Sequence, residues 1–87
     1  MADFKLQIVT AERIVFDDSV TSIIAPGAVG YLGVLAHHAP LLTTLSPGTL
    51  TIRRGEKHIS QHRLSGGFLE VRDNVATVLC DSFETTA

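Results

Sequence analysis

The chain holds no tryptophan, one cysteine, one methionine and three prolines in 87 residues. A lone cysteine, Cys80, cannot close an internal disulfide, so the fold must be held by packing, as suits a reducing compartment. No apolar stretch approaches the ~18–20 residues that a membrane-spanning helix requires. The amino terminus, Met-Ala-Asp-Phe-Lys, has neither the basic start nor the apolar core of a signal peptide. Charge is scarce as well: charged residues make up 18%, the net charge is −2, and no block of like charge occurs. Nucleic acid and anionic lipid surfaces therefore find no electrostatic footprint. Low-complexity runs are missing too, and 45% hydrophobic residues argue for a folded globule. A single small, soluble, cytosolic domain is expected, burying roughly 60–65% of its unfolded surface.

What is present is alternation. Phe4, Leu6 and Ile8 alternate with Lys5 and Gln7, the period of a half-buried strand. Residues 14–16 make a second run, after which Asp17-Asp18-Ser19 carries turn chemistry. Residues 20–25 read as a third strand stopped by Pro26-Gly27. Residues 29–35, punctuated by Gly30 and Gly33, read as a bulged strand or hairpin arm. Leu41, Leu42 and Leu45 precede a turn at Ser46-Pro47-Gly48. Leu50 and Ile52 then alternate with Thr49 and Thr51 up to a turn at Arg54-Gly55-Glu56. Residues 57–64 are polar and suit an edge strand, which Gly66-Gly67 breaks. Residues 68–72 and 75–80 flank Asp73-Asn74, a two-residue hairpin signal. About eight to ten short strands at this spacing specify an all-β sandwich or barrel. The sandwich is assigned to residues 1–82. Residues 83–87 are a short tail that ends before a helical turn could be stabilised.

The reactive residues do not converge. His37 and His38 are adjacent, so in an extended segment they point to opposite faces. His58 and His62 share strand parity but stand about 13 Å apart at strand rise, and further ligands at workable spacing are missing. A metal enzyme built on His37, His38, His58 and His62 is an outside reading. Ser65-Gly66-Gly67 lacks the flanks of a nucleophile elbow, and Cys80 ends an apolar strand where a thiol acts as a small hydrophobe. The glycines at 27, 30 and 33 spell no phosphate-binding loop. No catalytic, cofactor-binding or metal-binding residue is assigned, and no cofactor is expected. Binding or assembly remains, with Tyr31 a candidate contact because tyrosine is enriched at interfaces.

The stretch GYLGVLAHHAPLLTTLSPGTLTIRRG, residues 30–55, resembles the N-terminal domain of the epsilon subunit of bacterial and chloroplast F-type ATP synthases. FKLQIVTAERIVF, VTSIIAPGAVG and LSGGFLEVRDNVATVLCDS extend the resemblance over nearly the whole chain. Its most specific pieces are G-x-x-G followed by H-A-P-L-L-T, then P-G-x-L-x-I, then S-G-G-F-x-E-V. The resemblance implies a flattened β-sandwich of two five-stranded, mainly antiparallel sheets. It also implies a mechanical, non-catalytic role at the foot of the central stalk, bound to the gamma subunit and resting on the ring of c subunits. There the domain helps to carry proton-driven rotation to the catalytic head. Its place is peripheral, on the cytoplasmic face of a bacterial membrane or the stromal face of a thylakoid, without lipid insertion. In the family the turn around residues 30–33 and the loop near His38 lie toward the ring. Tyr31, Leu32, His38 and Ala39 are therefore the expected ring contacts.

Two positions depart from the family pattern. Tyr31 stands where relatives usually carry an acidic residue, and Ala36-His37 where they commonly read Pro-Gly. The first implies a ring contact built on aromatic packing rather than a salt-sensitive ion pair. Relatives also usually continue past the position of Asp81 into a two-helix hairpin that can inhibit ATP hydrolysis and in some members binds ATP. This chain stops at Ala87, so it is expected to be a natural short form that does neither. A free-standing β-sandwich interaction module is the alternative.

Overall fold

Apolar alternation produces the strands, and pairing with distant partners, more than local charge or proline, decides where several of them end. The computed structural model describes residues 2–86. It contains ten strands: β1 (Phe4–Val9), β2 (Ile14–Val20), β3 (Ser22–Gly27), β4 (Gly30–Leu35), β5 (Leu41–Leu45), β6 (Gly48–Arg54), β7 (His58–Leu64), β8 (Gly67–Arg72), β9 (Val75–Cys80) and β10 (Phe83–Thr86). No helix occurs among the described residues.

β3 is the joint of the molecule. β4 lies on one of its edges and β6 on the other, and β7 and β10 continue from β6 to complete one five-stranded sheet. β5, β8, β9, β1 and β2 form the second in that order. The sheets meet through one residue pair, Gly27 with Leu45, and again where β2 turns into β3 at Thr21. Only β1 with β9 is parallel. The expected sandwich of two five-stranded, mainly antiparallel sheets is thus observed.

Inward positions of both sheets fill the space between them: Leu6, Ile8, Ile23, Leu50, Ile52, Leu64, Leu69 and Val78 are fully buried. Each such side chain stabilises the fold by ~1.5–3 kcal/mol relative to exposure. The strand parity that buries Leu6 and Ile8 turns Lys5 outward, where it pairs with Asp17 at 2.9 Å.

Four expectations need correction. Asp17-Asp18-Ser19 is no turn, for β2 runs straight through it. β2 is an edge strand, where charge is tolerated, and Asp17 and Asp18 are held by Lys5 and Arg54, the latter pair at 2.9 Å. The corner comes at Thr21, which the sequence did not flag. Its N–H donates to Arg53 O at 2.8 Å and its hydroxyl accepts from Gly55 N at 2.8 Å. Pro26-Gly27 does not stop β3, because β6 pairs only as far as Ile24 and the missing N–H of proline interrupts no ladder. Residues 57–64 are no edge, because β10 covers β7 from Phe83↔Leu64 to Thr86↔Gln61. That pairing also places residues 83–86 inside the sandwich rather than in a tail; the last residue of the expected tail, 87, lies outside the described residues.

The registers define two ends. Gly27, Gly30, Leu45, Gly67 and Cys80 gather at one, while Ser22, Leu35, Arg53, Leu41 and Val71 gather at the other.

Candidate interaction surface

At the first end, β3 and β4 close around a two-residue turn, Ala28-Val29. Gly30 has φ of 137°, a conformation that glycine adopts freely and other residues rarely do. The Ala28 N–H donates to Thr44 O at 3.1 Å and ties the turn to β5. Val29 is 103% exposed, an apolar side chain held wholly in water at the outermost point of the hairpin.

Tyr31 sits just behind this tip on the outer face of the sheet, 62% exposed. It pairs with Pro26, and its hydroxyl reaches across β3 to accept from Thr49 N at 3.2 Å. A Cβ at position 48 would stand 2.8 Å from Pro26 Cβ and 3.0 Å from the Tyr31 hydroxyl. Gly48 therefore makes room for the ring to lie back along the sheet. Leu32 has the opposite parity and packs against the core. Its Cδ2 would lie 2.6 Å from a Cβ at Gly27, so the glycine gives it space. Leu32 supports the hairpin from beneath.

At the second end the chain turns through residues 35–38, with His38 N donating to Leu35 O at 3.2 Å. His37 occupies the third position of that turn at φ of 63°, where glycine is favoured. Its N–H donates to Asn74 Oδ1 at 2.7 Å. The Asn74 amide also donates to Asp3 O at 3.0 Å, so one side chain ties this loop to the amino-terminal segment. Asp73 and Asn74 themselves adopt φ of 52° and 62° in the expected two-residue hairpin. The His38 Nδ1–H donates to Ala39 O at 2.7 Å. A left-handed conformation costs a non-glycine residue ~1–2 kcal/mol, against ~0.4–1 kcal/mol of extra unfolded-state entropy that glycine brings. His37→Gly should therefore raise stability by ~0.5–1 kcal/mol in urea denaturation, and an unchanged or lower midpoint would refute strain at this turn.

The four expected contact residues thus separate. Tyr31 and Leu32 adjoin the tip but face opposite ways. His38 and Ala39 lie at the far end of β4, whose run from Tyr31 to Leu35 alone is about 13 Å at strand rise. Sequence reasoning missed Val29. The signal was there, since a β-branched residue between Pro26-Gly27 and Gly30 is a poor turn former with no local reason to be present.

The four histidines also separate: His37 and His58 are exposed, His38 is partly buried and His62 is buried. Among the described residues no group of three or more His, Cys, Asp or Glu could hold a metal ion. On the second sheet, Phe68 and Leu79 are paired neighbours about half exposed, with Val9 beside Leu79. They border a groove of about 440 Å³ that includes Thr10, Ser65 and Cys80. Burial, and then the Asp81 carboxylate, push the Cys80 thiol upward, which keeps it protonated and unreactive.

The sandwich has known counterparts. Residues 3–86 match the family model of the ATP synthase Delta/Epsilon chain β-sandwich domain. The chain belongs to this family. Within the Delta/Epsilon family, the ATP synthase epsilon chain of Moorella thermoacetica is 46% identical over 84 residues, which cover 97% of this chain and 63% of that one. The epsilon chain of Dehalococcoides mccartyi strain CBDB1 is 50% identical over 84 residues, covering 97% and 59%. The chain therefore spans about three-fifths of the length of these curated relatives. Among solved structures, a chain of the Euglena gracilis mitochondrial ATP synthase, described as OSCP/F1/c-ring, superposes with a TM-score of 0.91 at 25% identity, over 98% of this chain and 54% of that one. A chain of the central stalk and c-ring of the Tetrahymena thermophila enzyme shares the fold, with a TM-score of 0.77 at 21% identity over 91% of this chain and 63% of that one.

Proposed function

We propose that this domain is a non-catalytic part of the central stalk of an F-type ATP synthase. It binds the gamma subunit and the c ring, peripheral to the membrane on its cytoplasmic or stromal face, and couples proton-driven rotation to ATP synthesis. The observation that carries this reading is the Delta/Epsilon match across residues 3–86, on a sandwich whose hairpin tip holds a valine fully in water. A body that transmits torque must resist shear, and two cross-linked sheets around a close-packed core do so. By itself the sandwich neither inhibits ATP hydrolysis nor binds ATP, so its addition to epsilon-depleted enzyme should leave the hydrolysis rate unchanged.

The ring contact centres on Val29 and Tyr31, with Leu32 fixing the hairpin from below and His38 and Ala39 adding less, farther along β4. It rests on apolar and aromatic packing, so it resists salt. Val29→Asp should weaken association with a gamma–ring complex at least ~10-fold, equivalent to ~1.4 kcal/mol. His38→Ala should change it less than ~3-fold. Raising salt from about 0.05 to 0.5 M should weaken binding of a Tyr31→Glu variant more than that of the parent. Equal salt sensitivity, or undiminished binding by Val29→Asp, would refute this contact. A chain that never co-purifies with gamma would instead be a free-standing interaction module.

A further inference from the structure

β10 is four residues long and pairs with β7 alone. A strand so short at a sheet edge is marginal on backbone pairing. Beyond that pairing and the packing of Phe83 against the core, its side-chain contacts converge on one residue. His62 of β7 is 6% exposed and stacks against Phe83 of β10, with ring centroids 4.7 Å apart and planes 18° from parallel. Its Nδ1 lies 3.2 Å from the Thr85 hydroxyl, also on β10, and its Nε2 lies 2.9 Å from the Ser60 hydroxyl. A neutral imidazole has one donor and one acceptor nitrogen, and two hydroxyls that can each donate or accept satisfy both.

We propose that His62 latches β10 onto β7 while neutral and releases it when protonated, making the last strand of the sandwich a pH-released element. Among the described residues no ionised group faces His62 to compensate a charge there. On β10 the neighbouring Glu84 pairs with Arg63 and shares the opposite, outward parity. On β6 the residue opposite His62 is Leu50, and the nearest inward-parity ion is Arg54, already committed to Asp18 of β2. On β7 itself His58 shares the parity but is exposed four residues away. The π-face of Phe83 offsets only part of the loss of water. Burial accordingly holds the His62 pKa below its ordinary 6.5. Neutral His62 belongs to the docked strand, and a released His62 regains its ordinary basicity. Docking is therefore at full strength above about pH 6.5 and fades as pH falls through the lowered value. Release uncovers the β7 edge and the apolar contact between Phe83 and the core, and frees any segment that follows β10. The device does not depend on the stalk reading.

Amide hydrogen exchange on the intact chain from about pH 7.5 to 5, corrected for intrinsic rates, tests it. Protection of the β10 amides should fall at least ~10-fold while β8 and β9 hold theirs. His62→Phe should abolish the pH dependence, and His58→Gln should keep it. Flat protection of β10, an equal fall in every strand, or an unaltered fall in His62→Phe would overturn the latch. If His62→Phe does not fold, the imidazole titration of the parent chain decides, because loss of β10 protection that does not track it overturns the latch as well.

Discussion

Gly67→Ala should leave little folded protein. A Cβ there would collide with the Leu79 carbonyl oxygen and stand 2.9 Å from its carbon, at a backbone φ of +145° that side chains rarely adopt. The obstacle is the backbone of β9, hydrogen-bonded to β8 over the whole register from Gly67↔Cys80 to Arg72↔Val75. Nothing can move aside without opening that ladder. The substitution combines dihedral strain of ~1–3 kcal/mol with the loss of strand pairing, so a penalty above ~4 kcal/mol is expected. A small domain has about 5–15 kcal/mol to lose. Gly55→Ala is the control. Gly55 also has a positive φ, 69°, but nothing lies within 4 Å of its would-be Cβ, so only ~1–2 kcal/mol of strain applies. Urea denaturation of the two variants separates crowding from strain. Equal losses would mean that β8 and β9 do not approach as closely as described.

The same glycine shows why parts of this molecule were legible in sequence and others were not. Ser65-Gly66-Gly67 could be dismissed as a nucleophile elbow and read as a break after the preceding strand, because a Gly-Gly pair has a local backbone meaning. The hairpin at Asp73-Asn74 and the period-two strands were readable on the same basis. The misread segments are those whose conformation is decided by a distant partner. Asp17-Asp18-Ser19 has turn chemistry, but Lys5 and Arg54 extend it into β2. Residues 57–64 look like an edge until Phe83 stacks on His62 and β10 covers them. The contact surface divides in the same way. The family resemblance marked Tyr31 and His38 but carried no information on the length of β4 between them. Nor could it show that Leu32 packs inward while Val29 takes the tip.

The inside-outside assignment itself has a sharp consequence. Leu6→Ala should destabilise the chain by ~2–5 kcal/mol, whereas Leu42→Ala should change stability by less than ~0.5 kcal/mol. Leu6 is fully buried, set between Ala76 on β9 and Asp18 on β2. Truncation there removes a side chain from the middle of the inter-sheet layer and leaves a cavity that β1 and β9, each paired on both sides, cannot collapse to fill. Leu42 belongs to the same sheet but is 71% exposed and sits opposite Glu70 on the outer face. A register slip of one residue in β5 would exchange its inner and outer sets, since side chains alternate with a period of two. Denaturation midpoints of the two variants therefore read the register directly. If Leu42→Ala proved as damaging as Leu6→Ala, the outer face of β5 would have to be packed against something. Repeating the measurement at tenfold lower protein concentration would then tell self-association, which weakens on dilution, from a wrong register, which does not.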